Sequence, residues 1–239
     1  MKGVFKTDFN FRMSDFDCKK KLLPCAVLDV FQEVAGLHGE LLGVGFEDML
    51  KKELIWVLVK VRYKVLKEPT LHQKVLVKTW PLPPERISYR REYEILDQEG
   101  NPLIQGSSEW VAVHSIKRKI MPAKAIYNIS AQEFCTRLCF EDKVTKIKPF
   151  EALGDGFEIC PRYCDIDLNG HVNNTKYANF VIDALSPERA IKTFQIDYHK
   201  EVLAGCDLKI HTASFENQTV AIGKNNVGEN MFSCKLEWE

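Results

Sequence analysis

Arg162 to Leu185 reads "RYCDIDLNGHVNNTKYANFVIDAL", and 150 residues earlier Arg12 to Ala35 reads "RMSDFDCKKKLLPCAVLDVFQEVA". Both open on the same pattern: arginine, two residues, aspartate, an apolar residue, aspartate. Both then run into apolar residues three and four apart, the spacing of one buried helix face. These are Val27, Val30, Phe31, Val34 and Ala35 in the first copy and Tyr177, Phe180, Val181, Ala184 and Leu185 in the second. At the offset of 150 they coincide one for one.

The likeness continues downstream. "KVRYK" (Lys60 to Lys64) is matched by "QIDYH" (Gln195 to His199), "KVLVKT" (Lys74 to Thr79) by "DLKIHT" (Asp207 to Thr212), and "GNPLIQGSSEW" (Gly100 to Trp110) by "GENMFSCKLEW" (Gly228 to Trp238). The offset shrinks through 135 and 133 to 128 while the order is kept, so the second copy is the first with trimmed loops. An internal duplication accounts for this better than chance resemblance among strands. Each unit reads as a short strand, one apolar helix and several long strands of period two, such as "ISYRREYEIL" and "LKIHTASFE". A helix laid on an antiparallel sheet is an α+β architecture. The units are expected at residues 1–130 and 150–239. Residues 131–149 read as a linker whose charges form a solvated surface.

At 239 residues the chain is long enough for two cores, since a domain commonly holds about 100 to 200 residues. Apolar residues make up 45% and charged residues 28%, the composition of a globular protein. Lys plus Arg equals Asp plus Glu at 33 each, so no global field favours nucleic acid or membrane, and electrostatic recognition must be local. No stretch approaches the roughly 20 apolar residues of a membrane span, and "MKGVFKTDFNFRMSD" has no apolar signal core, so a cytoplasmic location is expected. Eight scattered cysteines then default to reduced thiols. Cys135/Cys139 and Cys160/Cys164 have a spacing that zinc sites use, but Cys160 and Cys164 fall in a strand-like run and no histidines flank the pairs. Neither metal nor cofactor is expected.

The duplication supplies an internal control. Asp165 and Asp167 face Asp15 and Asp17, and Arg162 faces Arg12, so the shared residues read as braces of the turn into the helix. Asn169 and His171 face Lys19 and Lys21, and are therefore additions of the second copy. Asn173 and Asn174 read as caps of the following helix. Taken as an extended segment, Asp167, Asn169 and His171 alternate and point to one side, toward a helix start whose free N–H groups and dipole favour a developing negative oxygen. Such a place suits polarising a carbonyl. It still lacks a base for water.

On these residues the chain resembles the acyl-acyl-carrier-protein thioesterases of plants and bacteria. "DLNGHVNNTKYANF" is similar to their signature D-x-N-x-H-V-N-N-x-K-Y, and "TWPLPPERISYRREYEI" (Thr79 to Ile95) and "DYHKEV" (Asp197 to Val202) are further familiar features. The resemblance covers the whole chain. It implies two tandem hotdog domains, each an antiparallel sheet wrapped around a helix, and hydrolysis of a fatty acyl thioester on acyl carrier protein. It implies catalytic roles for Asp167, Asn169, His171 and Glu201. Plant members often have cysteine after the glutamate; here that residue is Val202, so the expected nucleophile is activated water, with Glu201 or His171 as base.

The first copy, lacking the Asn and His, is implied to bind the acyl chain, with Leu37, Leu41, Trp56, Leu58 and Trp110 as candidates for the wall. An acidic carrier protein as partner implies a local basic patch. The candidates are Arg86, Arg90 and Arg91, the run Lys117, Arg118 and Lys119, and the linker residues Lys143, Lys146 and Lys148. Acyl-CoA hydrolysis and a non-catalytic acyl-binding module are the competing functions, because hotdog folds serve several chemistries. Self-association is left open.

Overall fold

Strands of period two hide alternate side chains only if something covers one face, and in each half that cover is the helix. A computed structural model describes residues 3–123, 126–127, 133–148, 150 and 154–239. Residues 131, 132 and 149 of the expected linker lie outside them. The chain forms two compact units, Met1–Met13 with Asp29–Val144, and Ser14–Leu28 with Thr145–Glu239. The short stretch Ser14–Leu28 thus groups with the second unit rather than with its own half of the sequence.

In chain order the first half contributes β1 (Phe5–Asn10), α1 (Pro24–Leu41), α2 (Phe46–Lys51), β2 (Leu54–Val65), β3 (Lys74–Pro81), β4 (Ser88–Leu96), β5 (Pro102–His114) and β6 (Lys119–Ile120). Its strands lie in the order β1-β3-β4-β5-β2, with β6 on β5, all antiparallel. The second half contributes β7 (Phe157–Ile159), α3 (Lys176–Leu185), β8 (Ile191–Tyr198), β9 (Leu208–Phe215), β10 (Gln218–Asn225) and β11 (Asn230–Trp238), in the order β8-β11-β10-β9-β7, again antiparallel. This is the α+β arrangement that the duplication predicts and the hotdog architecture that the family resemblance implies. Among the described residues no helix is long and apolar enough to cross a membrane.

Each helix is seated through aromatic rings. On α1, Val27, Val30, Phe31, Val34 and His38 are buried. The Phe31 ring stacks on Tyr93 of β4 with centroids 4.2 Å apart and meets Tyr63 of β2 edge-on at 6.4 Å. Gly106 of β5 pairs with both tyrosines and lies beneath the phenylalanine; a Cβ there would come within 2.2 Å of the ring. In the second unit Tyr177 of α3 meets Tyr198 of β8 and Phe232 of β11 edge-on at 5.4 and 5.1 Å. Such pairs contribute roughly 0.5–1.5 kcal/mol beyond the area they bury.

The duplicated motif folds the same way twice. A short 3₁₀ turn, Met13–Asp15 or Tyr163–Asp165, leads into a tight turn closed by the bridge Phe16–Leu22 or Ile166–Val172. In the first copy the Asp17 N–H donates to the Lys21 carbonyl at 2.9 Å, and Asp17 Oδ1 accepts the N–H groups of Lys19 and Lys21, both at 2.8 Å. In the second, the Asp167 N–H donates to the His171 carbonyl at 2.8 Å, and Asp167 Oδ1 accepts the N–H groups of Asn169 at 2.8 Å and His171 at 3.4 Å. Lys20 and Gly170 occupy the same left-handed position, with φ of 62° and 79°. The expectation of an extended segment is therefore corrected. Because the aspartate gathers two amides, Asp167, Asn169 and His171 sit around a turn and not along one strand face.

The linker also departs from expectation. Arg137 clasps the buried Glu94 with both guanidinium nitrogens, at 2.5 and 2.6 Å, and lies over Trp80 at 4.3 Å. The Cys139 N–H donates to Glu92 at 2.8 Å, and Arg62 holds Asp142 while lying over Phe140. On the second unit, Gln195 donates to the Thr145 carbonyl and the Ile147 N–H to Asp197, both at 2.8 Å. Alternation on β4 sends Glu92 and Glu94 to the face opposite Tyr93, and the strap satisfies them. Only part of its charge is solvated surface, as at Lys143, whose ion pair with Glu85 is exposed.

Two consequences are measurable by thermal unfolding. Gly106→Ala forces the Phe31 ring off its seat and should cost about 1–3 kcal/mol, lowering the melting temperature by several degrees. Asp17→Ala and Asp167→Ala each release two amides and should destabilise by similar amounts, about 1–2 kcal/mol; a large difference between them would mean that the two turns are not energetically equivalent.

Candidate active site

The turn that carries His171 and the loop that carries Glu201 meet within the second unit. The Val172 N–H donates to the Val202 carbonyl at 2.7 Å, so the residues just before each are brought side by side. His171 Nε2 stands 3.3 Å from Glu201 Oε2, and the two side chains are 25% and 35% exposed. An imidazole touching a carboxylate, both open to water, can accept a proton from a bound water.

The other residues of the motif divide by role. Asp167 spends its carboxylate oxygen on the Asn169 and His171 amides, which fixes where the imidazole starts. Asn169 is exposed at the turn's apex, and among the described residues its side chain makes no hydrogen bond to the His171–Glu201 pair. Asp165 accepts the Arg162 N–H at 2.8 Å, the bracing expected from its counterpart in the first copy. Neither asparagine caps α3 as expected, because the N-cap is Thr175. Asn173 accepts the Thr175 N–H on its side chain at 3.0 Å, closing the turn before the helix, and Asn174 offers its backbone carbonyl to the Tyr198 hydroxyl at 2.7 Å.

Two features escaped the sequence reading. Tyr177, buried on α3, accepts the Val202 N–H on its hydroxyl at 3.3 Å. Burial pushes this phenol well above its ordinary range, and Asp167 and Glu201 add to the effect, so the hydroxyl keeps its proton. The second feature is Glu68. The Leu66 and Lys67 N–H groups share the Leu103 carbonyl just as those of His199 and Lys200 share that of Met231, which makes Glu68 the counterpart of Glu201. The strand registers agree, pairing Val65 with Ile104 as Tyr198 with Phe232, so "QIDYH" matches Arg62 to Leu66 and not the expected "KVRYK" two residues earlier. The repeated "KE" of Lys67-Glu68 and Lys200-Glu201 was the available signal.

The candidate wall and patch of the first unit separate in the same way. Trp56 and Trp110 pack on a cluster of Leu42, Val44, Met49, Tyr89, Ala112 and Ile126, and Leu58 is buried. Leu37 and Leu41 are instead exposed, Leu41 by 70%: Leu37 sits about 100° around α1 from the buried His38, and Leu41 is the last residue of the helix, just before the buried Leu42. Their exposure separates them from the buried cluster on which the two tryptophans pack. Arg91 leaves the basic patch for the opposite reason. It is 5% exposed and donates to His38 Nδ1 at 3.0 Å and Thr79 Oγ1 at 3.3 Å, so it offers no charge to a partner. Arg90 is half-buried against Glu92. Arg86, Lys117, Arg118 and Lys119 are exposed, and the Arg86 carbonyl accepts the Ala123 N–H, which puts its turn beside the chain leaving β6. Among the described residues no cluster of three or more His, Cys, Asp or Glu is placed to hold a metal.

Comparison with known proteins agrees with this architecture. In the solved structures, an acyl-ACP thioesterase from Bacteroides thetaiotaomicron superposes with a TM-score of 0.87 at 23% identity, covering 99% of this chain and 98% of that one. The 12:0-ACP thioesterase from Umbellularia californica does so at 0.84 and 22%, covering 99% and 97%. At such identities they establish the fold. Among sequences, the chloroplastic palmitoyl-acyl carrier protein thioesterase of Arabidopsis thaliana is 27% identical over 86% of this chain and 56% of its own length. The chloroplastic oleoyl-acyl carrier protein thioesterase of Coriandrum sativum is 27% identical over 82% and 59%. The chain thus spans little more than half the length of these relatives. The model of the acyl-ACP thioesterase N-terminal domain matches residues 2–127 and that of the C-terminal domain residues 154–239, and the chain belongs to the acyl-ACP thioesterase family.

Proposed function

We propose that the chain hydrolyses the thioester of a fatty acyl-acyl carrier protein, releasing free fatty acid and the carrier thiol, with His171 and Glu201 activating the water. The observation that carries this reading is their 3.3 Å contact on an accessible rim of the unit that bears the family signature. Water loses a proton to this pair as its oxygen bonds to the acyl carbonyl carbon. The oxyanion is held by the carboxamide of Asn169 and by N–H groups near the start of α3. Collapse breaks the carbon–sulfur bond, and the departing thiolate takes the proton back from the pair. Asp167 serves by positioning, through the two amides it holds. The residue after Glu201 is the fully buried Val202, so this chemistry needs no covalent acyl-enzyme at that position.

Trp56, Leu58 and Trp110 are the remaining candidates for contact with the acyl chain, and the exposed Arg86, Lys117, Arg118 and Lys119 for contact with the acidic carrier. Like charge gathered on one end of a sheet steers an oppositely charged partner, and salt screens it over about 8–10 Å.

Thiol release from acyl-carrier thioester tests the reading. Glu201→Gln and His171→Ala should each lower kcat by at least about a hundredfold, within the range for a lost general base, with KM little changed. Near-normal rates in both variants would sink the scheme. Faster turnover of acyl-CoA than of the carrier thioester would assign the same site to a different substrate. Raising salt from low to about 0.3 M should raise KM for the carrier thioester and leave a small acyl thioester unaffected, and Lys117→Glu with Lys119→Glu should reproduce the salt effect at low salt.

A further inference from the structure

The duplication isolates one hydrogen bond that the two copies do not share. In the second unit the Val202 N–H donates to the Tyr177 hydroxyl at 3.3 Å, immediately after Glu201. At the offset that aligns the helices, Tyr177 corresponds to Val27; at the offset that aligns Glu201 with Glu68, Val202 corresponds to Pro69. Valine has no hydroxyl and proline no N–H, so the first copy lacks both the acceptor and the donor. It keeps the glutamate and the aspartate-built turn, and has Lys21 where the second has His171. The tyrosine–amide bond therefore occurs only in the copy that also holds the histidine.

Packing alone does not account for the hydroxyl. The ring of Tyr177 is seated edge-on against Tyr198 and Phe232, a fit that phenylalanine would also make. A buried hydroxyl costs free energy unless it finds a partner, and this one finds the amide that directly follows Glu201. Val202 is thereby held at both backbone groups, its N–H by α3 and its carbonyl by Val172 beside His171. Glu201 itself lies on a loop between β8 and β9, outside any strand ladder. A shift of such a loop by about an ångström can cost about a hundredfold in rate when it carries a reacting group.

We propose that Tyr177 is a positioning residue, fixing Glu201 against His171 through the Val202 amide. The role rests on Glu201 and His171 being the pair that activates water. The test is steady-state hydrolysis of acyl-carrier thioester by the full chain as wild type, Tyr177→Phe, Glu201→Gln and the double variant, with melting temperatures measured alongside. Tyr177→Phe should lower kcat about tenfold, about 1.4 kcal/mol in the barrier, with KM within about twofold. It should cause no further loss in the Glu201→Gln background. A wild-type kcat in Tyr177→Phe, or the same tenfold loss in both backgrounds, would overturn the proposal and leave the base assignment standing. A Glu201→Gln enzyme at wild-type rate would remove the base assignment, and the positioning role with it. Should Tyr177→Phe fail to fold, Val202→Pro carries the test. It deletes the donor instead of the acceptor, copies the Glu68-Pro69 sequence the fold already accommodates, and should give the same loss of kcat with the same absence of additivity.

Discussion

The structure turns on a carboxylate that collects backbone amides. Asp17 and Asp167 each take two N–H groups from the residues two and four ahead, and each closes its turn by donating its own N–H to the carbonyl four ahead. Those amides would otherwise meet solvent or go unsatisfied, and a charged acceptor makes the stronger bond. The geometry is set by the backbone and by one aspartate, so it is indifferent to the side chains at the apex. Lysines stand there in one copy, asparagine, glycine and histidine in the other, and the turn is the same. The chain beyond the turn is constrained as well: the next residue bridges back, and the helix starts at a defined angle with its apolar face toward the sheet.

Seating the helix demands room, and the two units find it differently. Phe31 lies over Gly106 between two tyrosines, whereas in the second unit Tyr177 fills the space from one turn earlier on α3. The outer face of β4 presents Glu92 and Glu94, and the chain between the duplicated halves returns over it with Arg137 and the Cys139 amide. A buried carboxylate without such partners would destabilise the fold by several kcal/mol. The strap is thus part of the first unit's structure rather than a tether.

Period and repetition were legible because they are local or self-referential. The helix register, the strand alternation and the duplication arise from side chains that must face one way, and all appear in the fold. What escaped depends on partners distant in sequence or on a choice between equivalent local forms. Asp167, Asn169 and His171 at alternate positions fit a strand as well as a turn, and only the captured amides decide. Arg90 and Arg91 look alike as adjacent cations, but strand alternation sends Arg91 inward to His38, where composition alone puts charge in water. Leu37 and Leu41 lie one residue away from buried ones. Arg137 pairs with Glu94 across 43 positions, beyond any periodic signal. Glu68 is legible from the repeated Lys-Glu pair at the offset of 133 that also relates "KVLVKT" to "DLKIHT".

Stability gives little reason for the residues that distinguish the second copy. In the first, Lys19 and Lys21 bind Glu188 and the chain around it at the end of α3, contacts largely open to solvent, where screening leaves them little net stabilisation. In the second, His171 gains a half-exposed contact with Glu201 of similar small value. The turn forms with either set, and the helix packs with valine or with tyrosine at the corresponding buried position. The fold therefore tolerates both copies about equally, and the concentration of His171, Glu201, Tyr177 and the Val202 amide in one of them is better explained by what they do together than by what they hold up. A histidine alone would be an incident of sequence; a histidine with a carboxylate beside it, and a hydroxyl on the next residue's amide, is the arrangement that the proposed activation of water requires.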